Sequence, residues 1–255
     1  MIEIQGINKS FGKQTVLKDI STVFNPGHTN LIIGASGSGK TVLIKCIVGL
    51  LPVNSGIILF DGIKMNTVNQ RGNKNLRRQI GMLFQGSALF DSMSVEENVM
   101  LPLNMFSSDT KKEKLNRVNF CLERVELTGV NKKHPGELSG GMKKRVGIAR
   151  AIVLNPRYLF CDEPNSGLDP KTSIVIDELI GEITKEYNIT TIINTHDMNS
   201  VMGIGEKILF LHEGKKEWEG TNKEILHAQN ENLVNFIFAS DFLKEARDYM
   251  INRDK

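Results

Sequence analysis

Residues Gly34-Ala35-Ser36-Gly37-Ser38-Gly39-Lys40-Thr41 follow the spacing GxxxxGK[ST], between the apolar run Leu31-Ile32-Ile33 and a helix-like stretch. That context is the one the motif's chemistry needs. Gly34, Gly37 and Gly39, with Ser36 and Ser38 between them, let the backbone curl so that successive N–H groups converge on phosphate oxygens, and the helix start adds partial positive charge. Lys40 offers a point charge for β and γ phosphates, and Thr41 a hydroxyl for Mg²⁺. The motif implies a bound nucleoside triphosphate and leaves kinase, GTPase and ATPase open.

A second acidic element lies about 120 residues downstream, where the apolar run Tyr158-Leu159-Phe160-Cys161 ends in Asp162-Glu163. Strand alternation would turn the two carboxylates to opposite sides. Asp162 would then hold Mg²⁺ through water, and Glu163 would polarise the attacking water as general base. Acidic pairs at strand ends are in most proteins solvated loops; the upstream phosphate loop favours the catalytic reading. His196 ends another apolar run, where it is either structural or within reach of a γ-phosphate, and Asp197 after it suits a helix N-cap. Gln85 ends a fourth run, and its amide is suited to join metal and water.

Leu138-Ser139-Gly140-Gly141-Met142 is a second glycine-rich helix start with no lysine of its own. A serine hydroxyl, consecutive glycine N–H groups and a helix dipole make an anion site suited to a γ-phosphate. Because the first loop already holds the phosphates of its own subunit, the economical solution is a head-to-tail pair of copies. Each copy then offers this segment to the nucleotide of the other.

These residues need an α/β framework. Residues 2–7 and 15–24 read as an antiparallel hairpin, and residues 57–60 as a further strand. Residues 80–84, 158–161, 190–194 and 208–211 have the unalternating apolar character of strands buried in a parallel sheet. Helices are expected at 42–51, 109–126 and 139–154, so that residues 86–156 form a helical insertion. Residues 208–218 read as a hairpin turning at His212-Glu213-Gly214-Lys215. In the tail, Phe236, Ala239, Leu243, Ala246 and Met250 recur at spacings of three and four, the stripe of one amphipathic helix.

Composition sets the outer limits. The chain has 255 residues, 40% of them apolar, with 32 basic against 29 acidic side chains for a net charge of +3. Disorder is excluded, and so small a charge does not imply nucleic acid. The longest stretch without a formal charge, residues 20–39, carries too many polar residues and glycines to span a bilayer. Cys46, Cys121 and Cys161 form no CxxC pair, which suits reduced thiols, and MIEIQGINKS has no secretory pattern, so a cytosolic chain is expected. The basic clusters Lys143-Lys144-Arg145 and residues 71–78 read first as solvated faces.

Taken in order, Phe11, the phosphate loop, Gln85, residues 138–142, Asp162-Glu163, Ser166-Gly167-Leu168-Asp169 and His196 resemble the ATP-binding-cassette ATPases over residues 2–228. The resemblance implies a P-loop NTPase (RecA-like) core sheet with an N-terminal antiparallel β part and an inserted helical subdomain. It also implies ATP and Mg²⁺ as ligands, with Thr41, Gln85 and Asp162 at the metal and Glu163, His196 and Gln85 as catalytic groups. Phe11 would stack on adenine. Ser139, Gly140, Gly141 and Met142 would meet the ATP of the opposite subunit, and Asp169 would link the two sites. Met142 stands where most members have Gln, Asn165 where Thr is common and Phe11 where Tyr is common; none removes a required contact.

The segment 85–99, Leu101-Pro102-Leu103 and the LSGGM signature look similar to the ATPase of Mla/Mce-type phospholipid transporters. That likeness implies a homodimer on the cytoplasmic face of the inner or plasma membrane, with an integral membrane permease, an Mce-domain lipid-binding protein and an accessory subunit. The alternatives are a cassette ATPase for a small polar solute such as amino acids, and a soluble non-transport one such as in iron-sulfur cluster assembly. Residues 1–229 are expected to form the ATPase domain and 230–255 a C-terminal helical extension, which either packs on its own domain or binds a partner.

Overall fold

The computed structural model describes residues 1–65, 70–239, 244, 245, 247 and 249, with 70–73 described by their backbone. In chain order the elements are β1 (Ile2–Phe11), β2 (Gln14–Phe24), β3 (Thr29–Ile33), α1 (Lys40–Ile47), β4 (Ser55–Phe60), β5 (Ile63–Lys64), α2 (Gln70–Arg78), β6 (Ile80–Leu83), α3 (Val95–Phe106) and α4 (Lys111–Arg124). Then follow α5 (Gly140–Ile152), β7 (Tyr158–Asp162), α6 (Pro170–Glu186), β8 (Thr190–Asn194), α7 (Met198–Ile204), β9 (Lys207–His212), β10 (Lys215–Gly220) and α8 (Glu231–Ile237). The described residues form two compact units, Met1–Met65 with Asn194–Lys255, and Asn66–Ile193.

In the first unit β1 and β2 pair antiparallel, in the sheet order β2-β1-β4-β5. Ile2, Ile4, Ile7, Leu17, Ile20 and Phe24 are fully or almost fully buried, so the alternation along these strands turns one face into core. The expected hairpin is present and longer at its turn end, because β1 continues to Phe11. The order β10-β9-β3 places the strand before the phosphate loop beside β9, parallel and in register Ile33↔Phe210. β3 is buried along its whole length, as its unalternating apolar sequence requires. The β9–β10 hairpin turns where expected, through Glu213 (φ 46°) and Gly214 (φ 77°), the two left-handed residues of a tight hairpin turn.

In the second unit the order is β8-β7-β6, with β6 and β7 parallel and Leu83 level with Cys161. Equal overhangs beyond that pair bring Gln85 level with Glu163. The helices expected at 109–126 and 139–154 are α4 and α5, each slightly shorter. Ser94 with Glu97 and Thr110 with Glu113 form capping boxes that start α3 and α4, each N-cap stabilising its helix by about 1 kcal/mol.

Three expectations change. Helix α1 begins at Lys40 and ends at Ile47, earlier than the apolar content of 42–51 suggests, because Gly49 adopts φ 76° and closes the helix. The tail stripe is interrupted: α8 ends at Ile237, and Phe236 packs on Phe210 with ring centroids 5.6 Å apart, while Leu243, Ala246 and Met250 lie outside the described residues. The basic cluster on α5 is not simply a solvated face, since Lys144 is 4% exposed. Helical phase accounts for this, because Lys144 shares a stripe with the buried Gly147, Ile148 and Ala151. On α2, Lys74, Arg77 and Arg78 are exposed as expected.

Candidate nucleotide site

The phosphate loop belongs to the first unit. Gly34 (φ 147°) leaves β3 in a conformation closed to side chains, and a Cβ there would meet the Leu211 carbonyl oxygen at 2.2 Å and Ser38 Oγ at 2.7 Å. Gly39 (φ 105°) turns the chain into α1. Between them Ala35, Ser36 and Gly37 are exposed. The Lys40 ammonium donates to the carbonyls of Gly34 (2.8 Å) and Ala35 (3.0 Å), so the loop wraps its own lysine. Ser38 Oγ is buried without a hydrogen-bond partner among the described residues, an unmet polar atom in a cradle built for an anion. This curled loop with an orphaned hydroxyl and a lysine fits a polyphosphate.

Thr41, on the first turn of α1, accepts a hydrogen bond at Oγ1 from Asn194 Nδ2 at 3.1 Å. Asn194 closes β8, is fully buried and was not among the residues the sequence singled out. The available signal was a polar residue ending the apolar run TTIIN. His196 lies exposed just beyond Thr195, whose N–H donates to the Ile32 carbonyl at 3.2 Å. Asp197 caps α7 by accepting from Asn199 N–H at 2.8 Å, as its position suggested. Phe11 ends β1 with its ring 47% exposed, and the Lys9 ammonium sits 5.0 Å from the ring centroid while donating to the Pro52 carbonyl at 2.6 Å.

Gln85, Asp162 and Glu163, expected to act in hydrolysis, belong to the second unit. Gln85 Nε2 donates to Glu163 Oε2 at 2.8 Å, a bond that does not use the amide oxygen of Gln85. Asp162 ends β7 and is buried, and Glu163 is the first residue beyond the strand, with φ 50°. The expectation of strand alternation across the pair is corrected in one respect: Glu163 lies outside the strand, in a left-handed turn. For a non-glycine residue that conformation is uncommon and gathers at functional sites. Each of the side chains expected at the metal, Thr41, Gln85 and Asp162, offers oxygen, the hard-ligand chemistry that suits Mg²⁺.

Helix α5 starts at the exposed Ser139 and Gly140. Ser139 Oγ accepts from Met142 N–H at 3.2 Å, capping the helix and leaving its hydroxyl proton to donate elsewhere. Gly141 faces Thr172, where a Cβ would lie 2.8 Å from Cγ2, so close packing of α5 on α6 excludes a side chain. Asp169 caps α6, accepting from Thr172 N–H (3.0 Å) and Oγ1 (2.6 Å); the side-chain bond and then the backbone bond from Thr172 hold its carboxyl below the usual range. Lys144 was missed as a site residue. Its ammonium donates to the backbone carbonyls of Gln85 (2.5 Å) and Glu163 (3.2 Å), and burial lowers its pKa despite the nearby acidic side chains.

Residues 17–166 match the ABC transporter family. The chain belongs to that family. It is 38% identical over 96% of its length to the methionine import ATP-binding protein MetN of Campylobacter jejuni, of which it spans 78%. It is 39% identical over 78% of its length to the probable ribonucleotide transport ATP-binding protein mkl of Mycobacterium leprae, of which it spans 57%. Among solved structures, a dimeric ATP-binding cassette in a post-hydrolysis state with ADP and Pi aligns over 87% of this chain, with TM-score 0.79 and 32% identity. The cassette cbiO1 from Clostridium perfringens, part of the ABC transporter complex cbiONQ, aligns over 98%, with TM-score 0.82 and 30% identity. This ABC protein therefore has the α/β P-loop cassette fold and is an ATPase that binds ATP. No helix among the described residues is long and apolar enough to cross a membrane.

Proposed function

We propose that this chain works as a pair of copies, each lending Ser139, Gly140, Gly141 and Met142 to the ATP held by the other's phosphate loop, and that the closed pair drives a membrane permease. The observation that carries the permease is the surface immediately after Gln85. There Phe84, Phe90, Leu101, Pro102, Met105 and Phe106 line an open groove of about 330 Å³ beside the C-terminal half of α3. Phe84, Phe90 and Met105 are 39%, 50% and 60% exposed, an apolar concentration that a chain of this charge has no structural reason to leave in water. A partner's amphipathic segment laid there sits on the loop that carries Gln85.

In the hydrolytic step, Lys40 and the loop N–H groups hold the phosphates, Glu163 takes a proton from the attacking water, and Gln85 orients Glu163 through its amide N–H. Thr41, Gln85 and Asp162 are the groups to hold Mg²⁺, which when bound neutralises phosphate charge. On the same reading His196 would meet the γ-phosphate, Phe11 would stack on adenine and Asp169 would link to the partner's site.

For the cargo, the relatives named for methionine import support the small polar solute, of amino-acid type, better than the lipid reading. The lipid reading, with its Mce-domain protein and accessory subunit, keeps one specific observation, the likeness of residues 85–99, 101–103 and 138–142 to Mla/Mce-type ATPases.

The experiment is to purify the tagged chain from native membranes and identify what comes with it. A permease with an amino-acid-binding subunit supports the proposal, a permease with an Mce-domain protein and bound phospholipid replaces its cargo, and absence of any membrane protein refutes the transport role. For hydrolysis, Glu163→Gln should lower turnover by about 10²–10⁴-fold while retaining ATP in a closed dimer, because the phosphate contacts survive.

A further inference from the structure

Lys144 is a charged side chain that joins the backbones of Gln85 and Glu163. It stands on α5 a little over one turn past the Ser139 cap, is 4% exposed, and donates from Nζ to the carbonyl oxygens of Gln85 and Glu163. On the open side the same two residues are joined again, Gln85 Nε2 to Glu163 Oε2. Glu163 and Gln85 are thus held at both backbone and side chain. The Glu163 backbone needs such a hold, because its φ of 50° is one that a glutamate leaves when nothing over-determines it. Ser166 N–H donates to the same carbonyl at 3.2 Å, so the lysine shares this hold with the turn's own backbone.

An ammonium suits this place. It offers three donors, enough to span two carbonyls, and its charge lies near Asp162 and Glu163, which offset its removal from water. A solvated lysine elsewhere on α5 would give neither. The next basic residue inward on the same helix, Arg150, does the like for the following turn, donating to the carbonyls of Ser87 (2.5 Å) and Ala88 (2.7 Å). Ser87 and Ala88 also have positive φ, at 61° and 44°. One helix therefore carries the signature at its start and two buried cations that fix the loop after β6.

We propose that Lys144 is a positioning residue for hydrolysis: it holds the Glu163 carboxylate and the Gln85 amide in their shared register and ties that register to the helix whose first turn meets the partner's nucleotide. The inference rests on the reading of Glu163 as general base.

The test uses the full chain with Lys144→Met, which keeps length and removes the donors, and Lys144→Gln, which keeps a shorter donor. Turnover should fall about tenfold in K144M and about threefold in K144Q, with KM for Mg-ATP within about twofold, since the phosphate loop lies on other strands. In the Glu163→Gln background, K144M should lower the residual single-turnover rate by less than about twofold, because a residue acting through Glu163 has nothing left to position. Additive losses in that double variant, or KM rising as much as turnover falls, mean a structural role and overturn the proposal. Should K144M not fold, K144Q decides alone, and wild-type turnover in it is refuting. If E163Q itself hydrolyses ATP at the wild-type rate, the base assignment fails first. If E163Q is inactive and K144M is not, the base assignment stands and the positioning role is lost.

Discussion

Asn194 Nδ2 donates a hydrogen bond to Thr41 Oγ1 at 3.1 Å, linking the end of β8 to the first turn of α1. A threonine hydroxyl has two lone pairs, and the bond from Asn194 occupies one in a fixed direction. That bond restrains the orientation of the hydroxyl group. Removing the amide deletes this bond and leaves in place the Lys40 bonds to the Gly34 and Ala35 carbonyls.

Asn194→Ala should therefore weaken Mg²⁺ and spare nucleotide. One net hydrogen bond corresponds to a roughly 3–10-fold rise in the Mg²⁺ concentration that half-activates hydrolysis. Titrating Mg²⁺ at saturating ATP measures it, with metal-free binding of a fluorescent ATP analogue as the control. An unchanged half-activation point would mean that Asn194 serves packing alone.

Phe11 is the second prediction. Its half-exposed ring has the Lys9 ammonium 5.0 Å from its centroid, so one side of the ring is held by charge and the rest is open to a base. Phe11→Ala should raise KM for ATP about 3–12-fold, the range of one aromatic stacking contact, with turnover at saturation retained. Tripolyphosphate, which has phosphates and no base, should inhibit mutant and wild type equally. If its inhibition weakens in parallel with ATP, the ring is supporting the phosphate loop and does not meet adenine.

Much of this site was legible in the sequence because its chemistry is local. The phosphate loop, the Asp162-Glu163 pair and the Ser139 helix start are each contiguous, and each sits at the end of a strand or the start of a helix that its own neighbours define. What escaped depends on register or helical phase. Gln85 reaches Glu163 because β6 and β7 align Leu83 with Cys161, a pairing that no single segment encodes. Lys144 read as one of three surface cations until the phase of α5 set it on the buried stripe. Glu163 was read as continuing the alternation of the strand and instead leaves it in a left-handed conformation, for which a glutamate gives no advance notice.

The groove gives a third prediction. Phe90 and Met105 are half or more exposed, so Phe90→Ser with Met105→Ser removes little buried surface and should leave the melting temperature nearly unchanged. ATPase activity of the isolated chain should also persist, because neither side chain lies among the phosphate or hydrolytic groups. Co-purification with the permease should fall by at least about tenfold, since truncating two central apolar anchors removes more than about 1.4 kcal/mol of association energy. Full recovery of the permease by the double variant would remove the groove from the coupling surface.

Acid stability gives the last. Glu219 on β10 accepts from Lys207 (2.5 Å), Lys216 (2.8 Å) and Thr22 (2.9 Å), tying β10 to β9 and to β2. Burial alone would raise its carboxyl, but the bonds from these three side chains outweigh that and hold it below the usual glutamate range. A carboxylate whose folded pKa lies below its unfolded value binds fewer protons when folded. Its contribution is then fully present above the unfolded value of about 4.3 and is lost as pH falls through the folded one. Glu219→Gln cannot take part in that titration. Between neutrality and about pH 4.5 the variant should melt below the wild type by a constant margin, which should shrink as the pH drops further. Melting curves from pH 7 to 3 measure the gap, and a margin that stays constant or widens toward acid would show that Glu219 is not held ionised by its three partners.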